Sequence, residues 1–174
     1  IAHPRERMMP PVNPRTTRRD FLAQAAAISA VAALPEMSFA SPNDRMKVAF
    51  IGTGGRGGGN LQTIAKSEGV DVVGLCDVDS RFLTSAGNKF PKAKQFQDFR
   101  KLYDDIGNDV DAVVVSTPEH THAYAAMPAL QLGKHVYCEK PLAYNIDETR
   151  RLTEAAEKAG VATQKGTQIH ASKN

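Results

Sequence analysis

Gly52, Gly54 and Gly57 follow directly on the apolar run Val48-Ala49-Phe50-Ile51, and this order of residue types suits the capture of a diphosphate by bare main chain. Each glycine has a physical task in such a turn. Gly52 lets the chain reverse sharply. Gly54 carries no side chain, so the backbone can approach phosphate oxygens. Gly57 lets the next helix pack close to the strand. Gly55 and Arg56 open that helix, whose first N–H groups and partial positive charge would face the anion. The alternative is a structural glycine turn in another kind of α/β domain.

The residues downstream narrow the choice. A second apolar run, Val70–Cys76, ends in Asp77, which is 20 positions after Gly57. A Rossmann unit places there the acid that accepts the ribose hydroxyls of a dinucleotide. A carboxylate at that point favours a free 2′-hydroxyl and repels a 2′-phosphate, so NAD is favoured over NADP. Arg81 complicates the reading. Either it holds the extra phosphate of NADP or it is a solvated helix residue.

Two further segments crowd titratable residues onto strand ends: Ser116-Thr117-Pro118-Glu119-His120-Thr121-His122, and Glu139-Lys140-Pro141-Leu142. In open α/β sheets ligands bind beyond the carboxyl ends of the strands, at the point where the strand order reverses. Thr117, Pro118, His122, Glu139 and Lys140 are therefore candidate site residues. For Lys140 the competing reading is a surface loop lysine. For His122 it is a hydrogen-bonding residue that opens a helix. His120, Gln168 and His170 have only their positions to recommend them. The histidines are too scattered for a metal-site spacing, and no metal is expected.

The elements that must position these residues alternate regularly. Strands are expected at 47–51, 70–76, 94–96, 110–115, 135–138 and 161–168. Helices are expected at 55–67, 80–90, 98–105, 121–132 and 145–159. Asn145 with Glu148 reads as a capping box, and Gly160 as a stop. Nearly continuous apolar strands between helices imply a doubly wound parallel sheet covered on both faces, of order 3-2-1-4-5-6. In that order Cys76 and Cys138 stand three strand spacings apart, roughly 14 Å, too far for a disulfide. Two buried free thiols are expected.

Residues 1–40 read differently from the rest. Arg18-Arg19-Asp20-Phe21-Leu22 precedes the alanine-rich stretch Ala23–Leu34, and Ser38-Phe39-Ala40 forms a small-x-small site. This is the layout of a secretory signal, and the paired arginines resemble a twin-arginine (Tat) export signal. Cleavage after Ala40 would leave a domain over 41–174 in the periplasm or outside the cell, delivered by the Tat machinery. The alternative is an amphipathic or buried N-terminal helix. Twelve residues from Ala23 to Leu34 are too few to span a bilayer, which needs about 20. Ile1 is not an ordinary initiator, and Met8 and Met9 are candidate starts. The net charge of +3 is small, and residues 1–40, with five arginines against three acids, carry +2 of it. That argues against the clustered basic face of a nucleic-acid-binding domain.

Gly52-x-Gly54-x-x-Gly57, Thr117-Pro118-x-x-x-His122 and Gly133-Lys134-His135-Val136-Tyr137-Cys138-Glu139-Lys140-Pro141 together resemble the Gfo/Idh/MocA oxidoreductases over about residues 46–172. The resemblance implies roles for the candidates. Lys140 would lie beside nicotinamide and the substrate hydroxyl, where a partly buried ammonium stabilises a developing alkoxide and aids proton transfer. Glu139 would contact the nicotinamide ribose or the lysine. Pro141 would follow a cis bond. Thr117 and Pro118 would line the nicotinamide side, and His122 would open the next helix. The substrate implied is a sugar or polyol. The resemblance also implies a second sheet domain, beyond Asn174, that completes the substrate pocket and mediates oligomerisation. Two other readings stand beside a dehydrogenase: an NAD-dependent glycosidase of the same superfamily, and a non-catalytic nucleotide-binding module.

Overall fold

The computed structural model describes residues 45–167. The expected export signal at 1–40, together with Gln168 and His170, lies outside the described residues. The elements run β1 (Met46–Ile51), α1 (Gly55–Ile64), β2 (Val70–Cys76), α2 (Ser80–Lys89), β3 (Lys94–Phe96), α3 (Phe99–Ile106), β4 (Ala112–Val115), α4 (Glu119–Gln131), β5 (His135–Glu139), α5 (Ile146–Ala159) and β6 (Thr163–Gly166).

The sheet has the order β3-β2-β1-β4-β5-β6, and every pairing is parallel. This is the doubly wound Rossmann arrangement expected from the alternation of elements. The order reverses between β1 and β4. Their ends are in register, Ile51 opposite Val115, so the loops that follow them open beside each other.

Alternation along the strands builds two cores. Val48 and Phe50 of β1 face α1 and α2 with Leu61, Leu75, Leu83 and Val114. Ala49 and Ile51 face the other way, onto Leu102, Val113, Val115, Ala126 and Leu152 under α3, α4 and α5. A strand turns successive side chains to opposite faces, so a strand covered on both faces must be apolar throughout.

Helix ends follow their local chemistry. The Asn145 side chain accepts the N–H of Glu148 at 2.9 Å, and the Glu148 carboxylate accepts the N–H of Tyr144 at 3.0 Å. Gly160 ends α5 with φ +64, the left-handed region that favours glycine. Helix α4 starts two residues earlier than expected, at Glu119, with Pro118 as its cap. Strand β6 is shorter than expected at both ends. Cys76 and Cys138 are free and buried, on β2 and β5, with β1 and β4 between them.

Candidate nucleotide site

The glycine turn is fixed from both sides. Gly52 has φ +87, and a Cβ there would stand 2.5 Å from the Ser116 carbonyl oxygen. A Cβ on Gly57 would run into the Gly52 carbonyl oxygen. These two positions are bare because main chain fills the space. Gly54 differs. The space its side chain would take is filled by the Phe82 ring, whose nearest atom would be 2.5 Å from such a Cβ. Its bareness therefore lets α2 pack on the turn. Phe82 went unnoticed in the sequence, where an aromatic in a helix carries no signal of such a contact.

Asp77 organises the turn. Its Oδ2 accepts the N–H of Thr53 at 2.7 Å, the Thr53 hydroxyl at 3.2 Å and the N–H of Gly54 at 3.2 Å. Its Oδ1 accepts the N–H of Asp79 at 3.0 Å. A carboxylate oxygen offers about two lone-pair sites, so the capacity left for a sugar hydroxyl lies on Oδ1.

Helix α1 starts at Gly55, and Gly54 supplies no side-chain cap and the first turn no acid. Its first N–H groups have no partner within the helix, which suits an anion. Arg56 is exposed in that turn.

A groove of about 510 Å³ opens above the switch point, lined by Gly52, Gly54, Asp77, Phe82, Thr117 and Pro118 among others. Thr117 Oγ1 is a buried side-chain oxygen without a hydrogen-bond partner among the described residues. A polar group left so is satisfied when a ligand supplies its partner. The groove's outer wall includes Val78, which is 85% exposed. Arg81 is drawn away by Asp79: its guanidinium pairs with that carboxylate at 2.6 Å and holds it down to about 2.

The lysine loop stands next to the groove. β5 lies beside β4 with Val115 opposite Cys138, so Glu139 and Lys140 follow Ser116 and Thr117 across the sheet. His122, 1% exposed, joins the two loops. Its Nε2 is 2.6 Å from the Thr117 carbonyl oxygen and its Nδ1 is 2.7 Å from that of Pro141. Both ring nitrogens are thus taken up by main chain. The Lys140–Pro141 peptide is cis. Lys140 itself is exposed, which corrects the expectation of partial burial. Glu139 is 5% exposed. Its Oε1 accepts from Asn60 Nδ2 at 2.9 Å and from the Tyr137 hydroxyl at 3.2 Å. Asn60 is another residue that sequence reasoning missed.

A second cavity, of about 460 Å³, lies under α4 and α5 and is walled by Leu130, Val136, Leu152 and Val161 among others. Its lining is mostly apolar and includes no residue of the glycine turn. Among the described residues no cluster of His, Cys, Asp and Glu could hold a metal ion, and no helix is long and apolar enough to cross a membrane.

A glycine turn, an uncapped helix N-terminus and a strand-end acid at the switch point define a dinucleotide-binding Rossmann domain. The chain belongs to the Gfo/Idh/MocA oxidoreductases: residues 46–167 match the oxidoreductase family with an NAD-binding Rossmann fold. It is 32% identical over 155 residues to a glycosyl hydrolase family 109 protein of Shewanella pealeana, covering 79% of this chain and 34% of the relative. It is 34% identical over 117 residues to the inositol 2-dehydrogenase of Salmonella paratyphi B, covering 66% of this chain and 34% of the relative. Among solved structures, the WlbA dehydrogenase of Bordetella pertussis, in complex with NADH and UDP-GlcNAcA, matches with a TM-score of 0.63 and 27% identity. That match covers 70% of this chain and 37% of the other. The chain thus spans about a third of the length of these proteins.

The residues present fit the NAD that the family binds. Among the described residues Thr117 Oγ1 has no hydrogen-bond partner and α1 no side-chain cap, and Asp77 Oδ1 can accept once more.

Proposed function

We propose that this chain is the nucleotide-binding part of an exported dehydrogenase acting on a sugar or polyol, with NAD preferred to NADP. The observation that carries the reading is the convergence on one groove of the glycine turn, Asp77 and the unpartnered Thr117 hydroxyl, with Lys140 on the neighbouring strand end. A bound nicotinamide supplies hydride acceptance and donation at C4. The N–H groups of Gly55, Arg56 and Gly57 would hold the diphosphate, and Asp77 the adenosine ribose. Thr117 and Pro118 would line the nicotinamide side. Lys140 would orient the substrate hydroxyl and take part in its proton transfer. His122 would hold Thr117 and Pro141 at a fixed spacing, and Glu139 would seat the residue before the lysine. The polyol class is supported by the inositol 2-dehydrogenase relative. Export is supported by the paired arginines and apolar stretch within residues 15–40.

A second reading has its own support. The similarity to a glycosyl hydrolase family 109 protein favours a glycosidase that oxidises its sugar transiently and reduces it again. Turnover of an aryl glycoside without net reduction of NAD separates the two. A non-catalytic nucleotide-binding module would bind NAD tightly and turn over neither class of substrate.

Calorimetry on the purified chain tests the common core of these readings. NAD should bind, and more tightly than NADP. No affinity for either nucleotide at millimolar concentration would overturn all three.

A further inference from the structure

Asn60 lies in α1, the helix whose N-terminus faces the diphosphate position, yet its side chain reaches across the sheet to the lysine loop. Its Nδ2 donates to Ser116 Oγ at 3.0 Å and to Glu139 Oε1 at 2.9 Å. An amide NH2 has two hydrogens, so both are committed. A carboxylate only accepts, so the amide nitrogen, not its oxygen, must face Glu139.

The carboxylate is held closely. Tyr137 donates to the same Oε1, and the N–H of Lys140 lies 3.3 Å from Oε2. Gly166 closes the far wall, where a Cβ would stand 2.9 Å from Oε1. A continuous path of hydrogen bonds therefore runs from α1 through Asn60 and Glu139 to the main chain of Lys140. A charge-assisted bond to a buried carboxylate is stronger and more directional than a neutral one, so the path is stiff.

Resting on the nucleotide-and-lysine reading above, we infer that Asn60 is a positioning residue that couples nucleotide seating on α1 to the placement of Lys140. It is not among the residues that line the groove. It fixes Glu139, and Glu139 fixes the start of the lysine loop. Without the amide donor the carboxylate loses its tie to α1, and movement of α1 no longer reaches Lys140.

The test uses the full chain with its lysines reductively methylated with 13C, the Lys140 resonance being assigned through Lys140→Arg. In the parent protein, saturating NAD should shift that resonance. In Asn60→Leu, which keeps the shape and removes the donor, NAD should bind within about threefold of parent affinity while the Lys140 shift falls by more than half. The double variant N60D/E139Q reverses donor and acceptor across the same gap and should restore the shift. Thermal melts identify any variant that fails to fold, and Asn60→Ser then stands in for it. An unchanged Lys140 response in folded variants that lack the donor overturns the proposal, as does failure of N60D/E139Q to restore it. If the parent binds no NAD, the functional reading fails. The nucleotide-free spectra then decide separately: a Lys140 resonance displaced by Asn60→Leu sustains the positioning role, and an undisplaced one removes it.

Discussion

Asp77 and Thr53 are joined twice: one carboxylate oxygen accepts both the N–H of Thr53, at 2.7 Å, and its hydroxyl, at 3.2 Å. The strand-end acid proposed to take a ribose thus also shapes the glycine turn before any ligand arrives. Asp77→Asn separates the two tasks. The amide keeps one oxygen, so either the Thr53 and Gly54 N–H groups or the Asp79 N–H must face an NH2. Leaving a buried donor without an acceptor costs about 1–3 kcal/mol. The melting temperature of the nucleotide-free variant should fall, and NAD affinity should fall with it. A variant with normal melting and reduced affinity would show that the turn does not depend on the carboxylate.

His122 predicts a different pattern. Each tautomer of the neutral ring donates to one of its two carbonyl partners, and only the doubly protonated ring donates to both. His122→Ala removes the ring that spans the Thr117 and Pro141 carbonyl oxygens and leaves a cavity at a site that is 1% exposed. A destabilisation of about 2–4 kcal/mol is expected, read by urea unfolding. His122→Asn keeps one donor for one carbonyl and should recover part of the loss. Equal stability of both variants would mean that one side-chain donor at this position recovers nothing.

Much of this architecture is legible in the residues because the demands are local. A strand buried on both faces must be apolar along its length, so β1, β2 and β4 stand out. A left-handed residue at a helix end must be nearly free of side chain, so Gly160 marks the stop of α5. Asp77 is found because its distance from the glycines is set by one helix and one strand. What stays hidden is set by contacts remote in sequence. Asn60 meets Glu139 across 79 positions, and no period or spacing in α1 announces it. Phe82 against Gly54 is of the same kind. The early start of α4 has a local cause, a proline whose fixed φ, here −60, suits it to a helix start.

On the proposed reading, the choice between NAD and NADP turns on Asp79 as well as on Asp77. Arg81, whose side chain is 85% exposed, pairs with Asp79 and is thereby held from an incoming 2′-phosphate. Asp79→Asn keeps a residue able to cap α2 but removes the charge that holds the guanidinium. NADP affinity should rise about twofold to fivefold, the scale of an exposed ion pair, with NAD affinity unchanged. The Asp79 carboxyl, held mainly by its hydrogen bond to Arg81, lies at about 2. The pair is therefore intact above about pH 4 and is lost only as pH falls through about 2. Discrimination should be flat from pH 7 to 9, above the second ionisation of a phosphate monoester at about 6. A steep change within that window would assign it to another group.

The two thiols give the chain an alkaline limit. Burial, aided by the charges of Asp77 and Asp98, pushes Cys76 up to about 12. Burial, aided by Glu139, pushes Cys138 up to about 12. Tyr103, buried with its hydroxyl donating to the Ala125 carbonyl at 2.6 Å, is pushed up in the same direction, first by burial. All three hold their protons more tightly folded than unfolded. Their contribution is therefore fully present below the unfolded thiol value, near 8.5, and is lost as pH rises from there through the folded values. Melting temperature should hold steady up to about pH 8.5 and then decline. The fall should be shallower in the double variant C76A/C138A. At pH 8 neither thiol of the folded protein should react with iodoacetamide, because the nucleophile is the thiolate, and both should react in denaturant. Rapid labelling of the folded chain at that pH would place a thiol outside the core and remove it from the alkaline decline.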